Sequence, residues 1–119
     1  MTPARRVAER KGRRAEALAA LLFSLKGYRL VERRCRTPVG EVDLIAVRRR
    51  RLAFVEVKLR ASTKDAAWSL TPRQRSRIAR AAEYWVSRKP AYQGHDVAFD
   101  VVLMAPWTWP VHMRDAFRV

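Results

Sequence analysis

The sequence has one cysteine, Cys35, so no disulfide can form within the chain. This fits a reducing, cytoplasmic setting. With no histidine partner nearby in sequence, Cys35 is read as a packing residue and not a nucleophile. Only four glycines occur, and none belongs to a phosphate-cradling loop. The two histidines, His95 and His112, stand apart without metal-ligand spacing and are read as surface residues. A Ser-His-Asp arrangement and a cysteine cluster are likewise missing. Long apolar runs are absent too: ALAALLFSL falls far short of the ~20 residues that a membrane span needs. It follows the basic stretch RRVAERKGRR, as in a secretory signal, but no small-residue cleavage site follows, only the charged KGYRLVERR. A soluble protein without membrane association is expected. Acids are also scarce, 11 against 26 lysines and arginines, for a net charge of +15. Such an excess predicts a polyanionic partner, nucleic acid being the usual one.

What is present is enough to fold. A chain of 119 residues, 49% hydrophobic, suits one domain over residues 1–119, which can bury roughly two-thirds of its unfolded surface. Leu18, Leu21, Leu22 and Leu25 recur at helical spacing and predict a first helix from Thr2 or Pro3 to Lys26 with these leucines as its core stripe. Gly27 ends it. Tyr28 to Arg36 alternates as a strand, Thr37-Pro38-Val39-Gly40 is a turn, and strands follow at about 41–47 and 52–60. The stretch from Ala61 to Leu70 reads as a loop. Thr71 as N-cap and Pro72 at the first helical position open a second helix to about Lys89, with Ile78, Ala81, Ala82 and Trp85 as its apolar face. Val97 to Met104 is an apolar strand interrupted by Asp100. The tail APWTWPVHMRDAFRV is short and broken by proline, and no element is assigned to it. The expected fold is α/β (α+β): a small β-sheet flanked by helices, in the order helix, three strands, helix, strand.

The informative stretch is GEVDLIAVRRRRLAFVEVKLR, Gly40 to Arg60. With the turn centred on Arg49-Arg50, Val47 faces Leu52, Ile45 faces Phe54, Asp43 faces Glu56 and Glu41 faces Lys58. Apolar and charged halves then match separately. Glu41, Asp43, Ile45 and Val47 share one face of their strand, as do Leu52, Phe54, Glu56, Lys58 and Arg60 of theirs. Carboxylates placed opposite each other repel unless a positive charge lies between them. Lys58 or a nearby arginine is one candidate, which makes a structural ion-pair cluster. A divalent cation such as Mg²⁺ is the other. Metal, water and lysine are also the set that phosphodiester cleavage uses, and the chain's basicity predicts a phosphodiester partner.

Asp43, followed after thirteen positions by Glu56-Val57-Lys58, resembles the D…(D/E)-x-K signature of the restriction-endonuclease-like superfamily. GEVDLIA followed by FVEVK-x-R is similar to the YraN-type bacterial family. Gly12-x-x-x-Glu16, Thr71-Pro72 and Phe99-Asp100-Val101 extend that resemblance over nearly the whole chain. It implies a Holliday-junction-resolvase-like variant of the nuclease fold, a mixed sheet flanked by helices. It also implies Mg²⁺ (or Mn²⁺) held by Asp43 and Glu56, Lys58 as the catalytic lysine, and Glu16 as a further acid. The implied activity is metal-dependent cleavage of DNA, with branched or structured forms as candidate substrates; the alternative is a non-catalytic nucleic-acid-binding module that keeps the fold. Resolvase-like nucleases tend to be dimers, so a homodimer is expected, although no dimer surface is legible. Two departures stand out: Gln74 where the family often has Lys, and Ala98 where Arg commonly precedes Phe-Asp-Val.

The remaining candidates have competing readings. Glu16 lies off the leucine stripe, beside Ala19, Ala20 and Phe23, and a solvated surface glutamate is its alternative. Arg60, on the Lys58 face, is a candidate phosphate contact. Gln74 is one turn before Ile78 and so can face the site, against the plainer reading of a polar residue at a helix start. Arg73, Arg75, Arg77 and Arg80 make the first half of the second helix basic, suited to backbone phosphates. Arg48 to Arg51 can grip phosphates or form a solvated tip. Asp100 can join the site or accept a backbone hydrogen bond, the structural role being preferred, and Trp68, Trp107 and Trp109 are read as packing residues in preference to base-stacking ones.

Overall fold

The structure is a computed structural model that describes residues 2–64 and 70–118; Trp68 lies outside them. The chain runs α1 (Pro3–Leu25), β1 (Arg29–Thr37), β2 (Gly40–Arg48), β3 (Arg51–Leu59), α2 (Pro72–Ser87), β4 (Asp96–Met104) and β5 (Val111–Phe117). The strands form one five-stranded sheet in chain order. β3 and β4 are parallel and every other neighbouring pair is antiparallel. A parallel pair needs a long crossover, and α2 provides it. The expected order of helix, three strands, helix and strand is observed, and β5 is additional. Pro106 and Pro110 both precede Val111, so they bound the last strand without breaking it.

The β2–β3 register is the expected one. Arg48 pairs with Arg51, Val47 with Leu52, Ile45 with Phe54 and Leu44 with Val55. Side chains on one face (Ile45, Val47, Leu52, Phe54, Phe99 and Val101) pack under the Ile78, Ala81, Ala82 and Trp85 face of α2. The opposite face (Leu44, Ala46, Ala53, Val55, Val102 and Met104) packs under α1.

On α1 the structure corrects the sequence reading. The inward stripe is Ala15, Ala19 and Phe23, not the leucines. Leu18, Leu21 and Leu25 are 54%, 54% and 78% exposed, and only Leu22 is partly packed. Alanines facing Ala46 and Ala53 let the helix lie close on the sheet, and small side chains meeting small ones maintain interior packing density. The leucines instead border a groove of about 680 Å³, shared with Leu59, Met104 and Trp109. Trp107 and Trp109 are fully or nearly fully exposed, contrary to the packing role expected of them.

The exit from α1 is tightly specified. Gly27 adopts φ 89°, and its N–H donates to Ser24 O while Tyr28 N–H donates to Phe23 O at 3.0 Å. This is the glycine-terminated helix cap, completed by an edge-on contact between Phe23 and Tyr28 with ring centroids 4.9 Å apart.

Candidate active site

The site forms where β2 and β3 part. Their main-chain pairing ends at Leu44–Val55, one step before the expected Asp43–Glu56 pair. Beyond that point the Asp43 carboxylate replaces the ladder, with Oδ2 accepting from Val57 N–H at 2.7 Å. The face alternation of β2 also breaks there. Val42 packs with Ile45 and Val47 under α2, while Leu44 packs under α1. The neighbouring strand β1 is irregular at the same level, with Arg34 at φ 52°. A shared face for Glu41, Asp43, Ile45 and Val47 is therefore too simple, because the strand turns at Asp43.

The two carboxyl groups nevertheless converge. Asp43 and Glu56 are hydrogen-bonded to each other. They line one cleft of about 100 Å³ with Glu41, Gln74, Arg77 and Ile78. Burial raises the Glu56 pKa to about 8, reinforced by the Asp43 charge and the shared hydrogen bond, against the attraction of Lys58 and Arg77. Burial also raises Asp43, and the bonds from Val57 and Glu56 only partly offset it. The pair thus keeps one proton near neutral pH, as facing carboxyls in low dielectric do.

Glu16 is no surface residue. It is 7% exposed on the sheet side of α1, where burial and then Asp43 push its pKa up while Arg34 pulls it down. Arg34 Nε lies 2.9 Å from Glu16 Oε1, yet that oxygen is buried without a hydrogen bond; the contact is ionic and poorly aligned. Lys58 is 6% exposed, two residues beyond Glu56 on β3. Burial first, then Arg60, lowers its pKa, opposed by Glu56. It does not line the cleft, and Glu41, expected to face it, lines the cleft instead.

α2 closes the other side. Thr71 Oγ1 accepts from Gln74 N–H, and Thr71 N–H donates to Gln74 Oε1 at 2.9 Å. This reciprocal cap fixes the Gln74 amide so that its nitrogen, which has no hydrogen bond among the described residues, is left as the donor. Gly40 was missed by sequence reasoning, which placed it in a turn. A Cβ on Gly40 would collide with the Arg77 carbonyl oxygen and meet Ala81 Cβ at 3.4 Å. Glycine at this point lets α2 approach and brings Arg77 to the acids. Arg34 was also missed; only its place opposite the GEVD segment could have signalled it. Of the other expected phosphate contacts, Arg73 is exposed on the first turn of α2 outside the cleft. Arg60 borders the apolar groove.

A second set of buried charges lies elsewhere on the sheet. Arg51 makes two bonds to Asp100 at 2.8 and 2.7 Å and a third to Tyr28 Oη. His112 Nε2 and Asp115 N–H complete the shell of Asp100 at 2.8 and 3.0 Å. Despite burial, these partners lower the Asp100 pKa to about 2. Asp100 is thus structural, as expected. His112 is not the expected surface residue: its side chain is 2% exposed and packs at a tilt against Phe23 with centroids 4.6 Å apart. Lys26 Nζ lies 2.9 Å from its Nδ1.

The donor set at the cleft suits a hard divalent cation. Asp43 and Glu56 face each other with no ion pair to either among the described residues, and a buried glutamate oxygen nearby lacks a hydrogen bond. Among the described residues no three His, Cys, Asp or Glu side chains form a ready-made ligand group. Two carboxylates with water completing the shell is the usual arrangement for Mg²⁺.

A mixed sheet between two helices, with paired acids where its central strands part, is compatible with a small α+β nuclease-like fold. The chain belongs to the uncharacterised protein family UPF0102, whose family model matches residues 15–104. It is 52% identical over 111 residues to a UPF0102 protein of Parvibaculum lavamentivorans, covering 93% of this chain and 84% of that protein. It is 51% identical over 115 residues to one from Rhodopseudomonas palustris strain BisB18, covering 97% and 85%. A third, from Bradyrhizobium sp. strain ORS 278, is 49% identical over 116 residues, covering 98% and 82%. None of the described helices is long and apolar enough to cross a membrane.

Proposed function

We propose that this protein is a single-domain, metal-dependent nuclease that hydrolyses phosphodiester bonds in DNA. One observation carries the reading: Asp43 and Glu56 meet in a part-buried cleft, where burial holds both pKa values up and the Asp43 charge adds to the rise at Glu56. In a chain of net charge +15, four of the eleven acids (Glu16, Glu41, Asp43 and Glu56) gather in one place. Acids gathered in this way, with pKa values raised, are the kind found at reaction centres.

Asp43 and Glu56 would hold Mg²⁺ or Mn²⁺, with Glu16 as a further acid that sustains the negative potential behind Asp43. The bound cation would supply Lewis-acid polarisation of the phosphate and lower the pKa of a coordinated water. Lys58, buried and with a lowered pKa, sits on the same strand as Glu56. It can take a proton from the attacking water or donate to the charge developing on the phosphoryl oxygens. Arg77 and the Gln74 amide nitrogen, at the cleft, orient the scissile phosphate, while Arg60 and Arg73 engage flanking phosphates. Branched and otherwise structured DNA are the candidate substrates.

The test is cleavage of linear, branched and single-stranded DNA and of RNA, with and without Mg²⁺ or Mn²⁺. Asp43→Ala, Glu56→Ala and Lys58→Ala should each reduce cleavage by roughly 10²-fold or more while DNA binding persists. A second reading, a nucleic-acid-binding module without catalysis, is favoured by the lack of a three-residue ligand group among the described residues. Binding with no cleavage of any substrate under either metal would establish that reading.

A further inference from the structure

The β2–β3 hairpin has acids at one end and a second concave surface at the other. Arg48, Arg49, Arg50, Arg51 and Arg114 line a cleft of about 430 Å³. Arg51 is neutralised by Asp100 and Asp115. Among the described residues no carboxylate pairs with the other four. Two of them are nonetheless held in place. Arg48 donates to the Lys26 carbonyl at 2.8 Å and lies 4.8 Å over the Tyr28 ring. Arg50 donates to the Gly94 carbonyl, and its own carbonyl accepts from Asp96 N–H. Arg49 is at the tip with φ 55°, a left-handed conformation that glycine adopts without strain and arginine does not. An arginine at that position sacrifices backbone comfort for a side chain.

We propose that this cleft is a second, separate site for the phosphate backbone of nucleic acid. The ligand class follows from the donors: guanidinium groups, fixed by carbonyl and aromatic contacts and lacking their own acids, match phosphate oxygens in geometry and charge. Glu56 lies five residue steps along β3 from Arg51, about 17 Å at strand rise. One phosphate cannot touch both sites. A ligand engaging both must run about five nucleotide steps at about 3.4 Å each, or present a second arm. The inference rests on the nucleic-acid part of the function proposed above and not on its cleavage chemistry.

The experiment measures binding of the full chain to a labelled 30-base-pair duplex and to a four-way DNA junction across a salt series. The variant Arg49→Gln/Arg50→Gln/Arg114→Gln is compared with the wild type and with Arg36→Gln/Arg88→Gln/Lys89→Gln, which removes equal charge at exposed positions elsewhere. Arg49→Gln/Arg114→Gln, in which no described hydrogen bond or ion pair is lost, serves if the triple variant unfolds. The cleft variant should flatten the slope of log K against log salt by about 2 to 3 for the triple and about 2 for the double. The control should change it distinctly less. Equal slopes in cleft and control variants would overturn the inference, as would failure to bind either DNA at low salt. A flattened slope in a protein that cleaves nothing supports this site while removing the nuclease reading. Cleavage by the wild type with an unflattened slope in the cleft variant removes this site alone.

Discussion

Asp100 and Glu56 are both acids on central strands of the same sheet, yet they are opposites. Asp100 has every lone pair occupied: two guanidinium nitrogens, an imidazole and a backbone amide. Its pKa falls to about 2. Glu56 is bonded to another acid, and its pKa rises to about 8. Burial acts in the same direction on both; the partners decide the outcome. Depth alone therefore does not distinguish a structural acid from a reactive one. The completeness of its hydrogen-bond shell does.

The largest effect expected from this contrast is on stability. Asp100→Ala should destabilise the protein by about 3–5 kcal/mol, because it takes both short bonds from the buried end of Arg51 and leaves it, as an ion pair, only the longer contact with half-exposed Asp115. Glu56→Gln should have the opposite sign and stabilise by about 1–2 kcal/mol near neutral pH, since it removes the cost of keeping that carboxyl protonated in the folded state. Urea unfolding of both variants checks this, and equal signs would end the distinction.

The pH dependence of the metal-free protein separates them next. The folded-state pKa of Glu56 is above its unfolded value, so stability is greatest when the group is protonated. It should be lost as pH rises from about 4.5 to about 8. The folded-state pKa of Asp100 is below its unfolded value, so its contribution is present above about 4 and lost as pH falls towards about 2. Chemical denaturation across pH should show the alkaline loss shrink in Glu56→Gln, leaving the share of Asp43 and Glu16, and the acid loss remain.

A smaller effect concerns metal. Millimolar Mg²⁺ should raise the melting temperature of the wild type by a few degrees, about 1 kcal/mol when the ion is several-fold above its Kd. Neither Asp43→Asn nor Glu56→Gln should respond. Because the acid pair must lose its proton, the apparent affinity should strengthen from pH 6 to pH 8. The smallest effect should be that of Arg34→Gln, below about 1 kcal/mol on unfolding, because its contact with Glu16 is partly exposed and poorly aligned.

Much of this was legible in the sequence because it depends on local alternation. The hairpin register follows from matching apolar and charged halves, and Thr71-Pro72 marks the start of α2 by its own chemistry. The misreadings come from tertiary context. The leucines of α1 have the right period but the wrong target, since the sheet beneath offers Ala46 and Ala53 and selects alanines. His112 gave no sign of burial because its partners, Asp100 and Lys26, are 12 and 86 residues away. The break in alternation at Asp43 coincides with the left-handed Arg34 on β1, and no pattern within β2 reveals it.

Gly40 gives the cleft a fixed dimension. The absence of one methyl group sets how near α2 comes to β2, and with it the separation between Arg77 and the acids. The spacing of the site is therefore recorded in a backbone clearance, not in any side chain that touches a ligand. Alanine there leaves every polar group chemically intact but shifts the helix that carries two of them, so the site would be lost by misalignment with all its functional groups present.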